Sequence, residues 1–190
     1  NGIQFGIPVE VMGFLFVGGW VDLVMRRYIT LLLFIGMASG QNNDALSKDE
    51  VMSRAFEEAE KENKHIILIF HTNWCDYCKM YIDAFSTEES KIFFDRSYII
   101  TSLIPMGNEN IKNEGAMSYF NNLLDNDNLG FPYTFILDSE GNKLEEYSGY
   151  PTSLERINSL ISILNKFSTL EKEENELYLD YLAEYFMIMD

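Results

Sequence analysis

The stretch His65–Phe85, "HIILIFHTNWCDYCKMYIDAF", holds both cysteines of the 190-residue chain, Cys75 and Cys78. It opens with six apolar-rich residues (65–70) bounded by polar ones, the pattern of a short buried strand. From Trp74 the spacing changes, with Met80, Tyr81, Ala84 and Phe85 recurring as the inner side of a helix that runs to Phe85. The two cysteines therefore fall where a strand hands over to a helix. Three chemistries compete for such a pair: a disulfide staple, half of a metal site, or a dithiol that exchanges electrons.

A bridge across two intervening residues closes a very small loop and adds little loop-closure stabilisation, so it is a poor staple. A structural zinc site wants four ligands. The only histidines are His65 and His71, and His71 with the two thiols still leaves the fourth ligand unnamed. Lys79 follows Cys78 where a c-type haem attachment would need histidine. No metal or other cofactor is expected.

The redox reading fits the local structure. Free backbone N–H groups at a helix start favour thiolate over thiol, which makes Cys75 the nucleophile. Cys78, one turn later, is placed to resolve the mixed disulfide that Cys75 forms. Trp74 would shield the pair and shape its rim.

Outward from this centre, the chain reads as helices alternating with strands. Ser47-Lys-Asp-Glu50 has capping-box form and starts a helix to about Asn63, burying Val51, Met52, Ala55, Phe56 and Ala59. "STEESKIFF" (86–94) adds a helical turn or two, "YIITSLI" (98–104) a second strand, and 115–124 another helix. "FPYTFILD" (131–138) and "KLEEYSGY" (143–150) form a hairpin about the turn 139–142. A helix through about Phe167 follows, with Leu154, Ile157, Leu160, Ile161 and Leu164 as its stripe. The order αβαβαββα argues for a sheet covered by helices. Residues 168–190 read as an appended acidic amphipathic helix with Leu177, Tyr178, Tyr181, Leu182 and Tyr185 on one face. Its favoured role is packing on its own domain, and docking of a partner is the alternative.

Composition narrows the partners. Fourteen Lys and Arg face thirty Asp and Glu, a net charge of −16. So acidic a surface repels nucleic acid and anionic lipid. The first forty residues differ, with only Glu10, Asp22, Arg26 and Arg27 charged. "MRRYITLLLFIGMASGQ" (25–41) offers a start-like Met25, a basic pair, an apolar run and Ala38-Ser39-Gly40, the three regions of a signal peptide over 25–40. Its apolar run is about half of the roughly 20 residues that a spanning helix needs. Contact with a membrane is expected only through this leader if it stays uncleaved. Residues 1–24 lie upstream of that start and carry no reading of their own. The expected domain is 41–167.

"WCDYCK" after an apolar strand, with "GFPYTFILDSEGNKL" downstream, resembles the thioredoxin superfamily across residues 47–167. The resemblance implies a mixed β-sheet flanked by helices with a closing hairpin. It also implies a cis Phe131–Pro132 bond facing the cysteines, with the Phe131 backbone binding a substrate peptide. The arrangement is most similar to secreted and periplasmic thioredoxin-like disulfide reductases. Such proteins act on disulfide-containing protein substrates and take electrons from a membrane reductant.

The departures from the cytoplasmic pattern bear on direction. Ile69 stands where a buried acid would assist proton transfer to the second cysteine, and Asp76-Tyr77 replaces Gly-Pro between the thiols. Glu57, Glu58, Asp83 or a water are candidate substitutes for that acid. Asp76 places negative charge beside Cys75 and should disfavour its thiolate, which leans toward a reductase. Asp76, Tyr77, Lys79 and His71 are thus candidate modulators. The expected function is an exported thiol–disulfide oxidoreductase. A non-catalytic thioredoxin-like binding module and a Cys/His metal carrier are the alternatives.

Overall fold

The computed structural model of the protein describes residues 45–125 and 130–188, all within one unit of the chain, Asp44–Asp190. The expectations for segments 1–24 and 25–40 fall outside the described residues. Among the described residues, no helix is long and apolar enough to cross a membrane.

The first helix, α1 (Lys48–Glu62), begins with the expected capping box. Ser47 Oγ accepts the Glu50 N–H, and the Glu50 carboxylate accepts the Ser47 N–H at 2.9 Å. Asn63 then turns left-handed, with φ 53°, and releases the chain into β1 (His65–Phe70), whose residues 66–70 are all buried. After the cysteines come α2 (Asp76–Ser86) and α3 (Glu88–Ser97). β2 (Tyr98–Leu103), α4 (Ala116–Leu123), β3 (Tyr133–Leu137), β4 (Lys143–Ser148), α5 (Leu154–Phe167) and α6 (Lys172–Ile188) complete the order.

The strands lie in the order β2-β1-β3-β4. β1 runs parallel to β2 and antiparallel to β3, and β3 pairs antiparallel with β4. A strand buried on both faces reads as a continuous apolar run, which explains "HIILIF" in the middle of the sheet. Alternation divides its side chains between two cores. Ile66, Leu68 and Phe70 pack with Tyr133, Phe135 and Leu137 against α1 and α4. Ile67, Ile69 and Ile136 face α2, α3, α5 and α6 on the other side.

Several expectations are corrected in detail. α3 is a full helix and not a turn or two, because Phe93 and Phe94 are both buried and Thr87 caps its start. β3 begins at Tyr133, since Phe131 and Pro132 belong to a cis turn ahead of it. Leu154 is 62% exposed at the overhanging first position of α5, so the buried stripe of that helix is Ile157, Leu160 and Leu164.

α6 packs on its own domain, and its inward face is Asn175, Leu179, Leu182 and Phe186. Leu177, expected on that face, is 67% exposed. Polar ties fix the helix in this orientation: Arg96 pairs with Glu174, Asn175 donates to Asn165, and Tyr181 donates to Glu89 at 3.3 Å.

Candidate active site

β1 ends by extending its ladder one step, the His71 N–H donating to Leu103 C=O at 3.1 Å. Thr72 is buried, and its carbonyl accepts the Cys75 N–H at 3.4 Å. This tight return stands Cys75 at the N-cap of α2 with extended dihedrals, φ −90° and ψ 109°. Its sulfur does what a capping oxygen usually does: Cys75 Sγ accepts the Cys78 N–H at 3.1 Å. The same N–H also reaches Cys75 C=O at 3.1 Å, and Lys79 N–H joins it there at 3.2 Å.

The two cysteines form a disulfide, with their Cα atoms 5.1 Å apart. They are unequal. Cys78 is fully buried beneath α2, whereas Cys75 is half-buried at its lip. Of the two, Cys75 is the more open to an incoming disulfide, and it is also the sulfur that the Cys78 N–H addresses.

Phe131 and Pro132 stand opposite. The bond between them is cis, and the Phe131 carbonyl oxygen lies 4.0 Å from Cys75 Sγ. Two contacts hold this turn. The Phe131 ring packs on Phe120 of α4 at 5.3 Å, and Pro132 C=O accepts the Gly149 N–H at 2.7 Å. Gly149 makes that bond with φ at 77°, a conformation that glycine adopts without strain.

The remaining candidate residues divide by position. Trp74 is 60% exposed and forms part of the outer surface beside the disulfide. Asp76 and Lys79 are both exposed and pair with each other at 3.3 Å, so the carboxylate that sits next to Cys75 carries its own counter-charge. Tyr77 is half exposed, with its ring 5.2 Å from that of Tyr150. His71 is half-buried, and burial holds its imidazole below the ordinary histidine value against an opposing bond to the Thr72 backbone. Burial thus disfavours the charged imidazole, the form in which it would act as a positive modulator.

The place of the buried acid is filled differently. Ile69 is buried there, directly across from Thr134 on β3. Thr134 and Tyr81 share a hydrogen bond of 2.9 Å, and both side chains are buried. Burial raises the Tyr81 hydroxyl well above its usual value, with the bond to Thr134 opposing. The site thus has a hydroxyl pair on the face where a carboxylate would stand. Glu57, Glu58 and Asp83 are all exposed, and no Asp or Glu among the described residues is buried. Nor does any group of three or more His, Cys, Asp or Glu among them have the placement to hold a metal ion.

Sequence reasoning did not single out Thr134, Tyr150 or Phe186. Their partners lie tens of residues away, and only the antiparallel register and the docking of α6 bring them to the site.

A dithiol at a helix start, one sulfur open and one enclosed, facing a cis-proline turn at the end of a mixed sheet, defines a thiol–disulfide oxidoreductase of the thioredoxin fold. The chain belongs to the thioredoxin-like domain family, whose model matches residues 52–163, from within α1 to within α5. A comparison with curated proteins returns no match.

Among solved structures the chain is similar to the disulphide isomerase of Xylella fastidiosa Temecula1, with 14% identity and a TM-score of 0.42 over 73% of this chain and 88% of that one. It is also similar to a DsbH oxidoreductase, at 22% identity and a TM-score of 0.43, covering 67% of this chain and 96% of that one. A thiol:disulfide interchange protein from Chlorobium tepidum TLS is 18% identical, with a TM-score of 0.40 over 56% and 83% of the respective chains.

Proposed function

We propose that the protein is an exported disulfide reductase that acts on disulfides of other exported proteins. The observation that carries the reading is the asymmetry of the pair: Cys75 half-open under the Cys78 N–H, and Cys78 enclosed behind it. In the reduced form the Cys75 thiolate attacks one sulfur of a substrate disulfide. That S–S bond breaks, and the departing thiolate takes up a proton. Cys78 then gives up its proton and attacks the Cys75 sulfur, and the second substrate thiolate leaves. Two electrons have passed to the substrate, and the pair is left as the intramolecular disulfide.

Substrate peptide would lie between Trp74 and the Phe131–Pro132 turn, with the Phe131 backbone on its path. The signal-like segment 25–40 supports export. A disulfide reductase working in an oxidising compartment needs a supply of electrons, for which a membrane reductant is the proposed donor.

The test is a titration of the purified protein's dithiol against defined thiol buffers. A reduction potential near or below about −220 mV places the pair among reducing members. A value near or above about −120 mV makes it an oxidant and reverses the proposed direction of flow. No reversible transition would remove the enzymatic reading.

A further inference from the structure

The first turn of α2 is tied to α6 by a chain of four rings joined by three contacts, whose two ends both lie on α2. Tyr77 and Tyr81 lie four residues apart on this helix and straddle Cys78, so both project toward the same side. The Tyr77 ring lies 5.2 Å from that of Tyr150, in the loop after β4. Tyr150 meets the Phe186 ring edge-on at 5.4 Å and 85°, and Phe186 stacks on Tyr81 at 5.9 Å and 27°. The path leaves α2 at Tyr77, crosses to α6 and returns to α2 one turn later. Phe186 is fully buried where it joins Tyr150 to Tyr81. Edge-on and offset contacts are the arrangements that aromatic rings prefer, so each link restricts its neighbour's orientation. Tyr150 also follows Gly149, whose N–H holds Pro132 C=O. The run of rings therefore borders both halves of the site, the dithiol and the cis-proline turn.

Resting on the oxidoreductase reading, we propose that Phe186 is a positioning residue for the dithiol: the C-terminal helix reaches back to fix the first turn of α2 and the N–H that Cys78 presents to Cys75. That N–H lies 3.1 Å from the sulfur, and its value to a thiolate depends on its aim. A site is held to its working geometry by neighbours that are themselves locked by packing, which is the part these rings play. With the ring of Phe186 gone, Tyr81 and Tyr150 lose the partner they share, Tyr77 rests on a Tyr150 no longer held from α6, and the first turn gains freedom. The Cys75 thiolate is then less well stabilised. Because a stable thiolate makes a dithiol oxidising, loosening the turn shifts the pair toward disulfide.

The experiment uses the full chain with Phe186→Leu, which keeps an apolar side chain and removes the ring, and Tyr150→Leu, which breaks the run of rings at its middle. Leu179→Ala, about two turns earlier on the buried face of α6, is the control for lost packing. Each variant is equilibrated with glutathione buffers, and thiolate absorbance is followed against pH. Phe186→Leu and Tyr150→Leu should each move the dithiol–disulfide equilibrium at least threefold toward disulfide and move thiolate formation to higher pH. Leu179→Ala should do neither, whatever its loss of stability. An unchanged equilibrium in folded Phe186→Leu, or an equal shift in Leu179→Ala, overturns the positioning role. Failure of the wild-type protein to show any reversible transition would instead overturn the oxidoreductase reading.

Discussion

Cys78 gives its backbone N–H to the sulfur of Cys75 across 3.1 Å while its own sulfur is enclosed under α2. In the proposed mechanism one residue thus supplies both the group that stabilises the nucleophile and the thiol that later displaces it. The two cysteines should therefore fail differently. Cys75→Ser should lose all measurable exchange with a disulfide substrate and keep its fold. Cys78→Ser should still attack and then stall, accumulating a mixed disulfide that adds the substrate's mass. Turnover in Cys75→Ser, or trapping by Cys75→Ser in place of Cys78→Ser, would reverse the assignment.

His71 should mark the pH dependence of stability. Burial depresses its folded value below the roughly 6.5 of an unfolded chain. As pH falls through that range, the unfolded chain takes up a proton that the folded protein does not, so stability is lost as pH falls. Glu50 and Asp138, whose folded values are lowered, contribute stability above the ordinary carboxylate range that disappears only at more acid pH. Between pH 8 and 5.5, the urea midpoint of the wild type should fall more than that of His71→Gln. Parallel falls would show that the imidazole is not held neutral.

The hydroxyl pair behind Ile69 admits a double-mutant cycle. Thr134→Val leaves the buried Tyr81 hydroxyl without its partner, and Tyr81→Phe does the same to Thr134. Each single change should cost about 1–3 kcal/mol, and the double variant less than their sum, because it removes both halves of the bond. Denaturant unfolding of the four proteins reads the coupling. Strict additivity would mean that the two hydroxyls do not act together.

Legibility in the sequence followed the range of the interactions. The handover from β1 to α2 is open to reading because a continuous apolar run gives way to helical spacing within fifteen residues, and the capping box at Ser47 and Glu50 is equally local. The cis Phe131–Pro132 bond was implied by family likeness alone. The Tyr81–Thr134 bond spans 53 residues and depends on the register that sets Ile69 opposite Thr134. Sequence spacing puts Leu177 on the wrong face of α6 because the helix mixes apolar and acidic residues around its whole circumference. Packing against the core of α2, α3 and α5, joined by ties from Arg96 and Asn165 outside the helix, selects Leu179, Leu182 and Phe186 instead.

That selection gives the last prediction, which separates a structural helix from a docking one. Leu182 is buried against the core shared by α2, α3 and α5, while Leu177 projects outward. Leu182→Ala should lower unfolding free energy by about 2–5 kcal/mol, the range for truncating a buried leucine. Leu177→Ala should change it by no more than about 0.5 kcal/mol, as is usual for an exposed site. The Arg96–Glu174 pair is half exposed, and Glu174→Gln should cost less than about 1 kcal/mol. Urea unfolding of the three variants measures the set. If Leu182→Ala were as mild as Leu177→Ala, α6 would be only loosely held and free to serve a partner. A large loss confined to Leu182→Ala makes the helix part of the fold that supports Cys75 and Cys78.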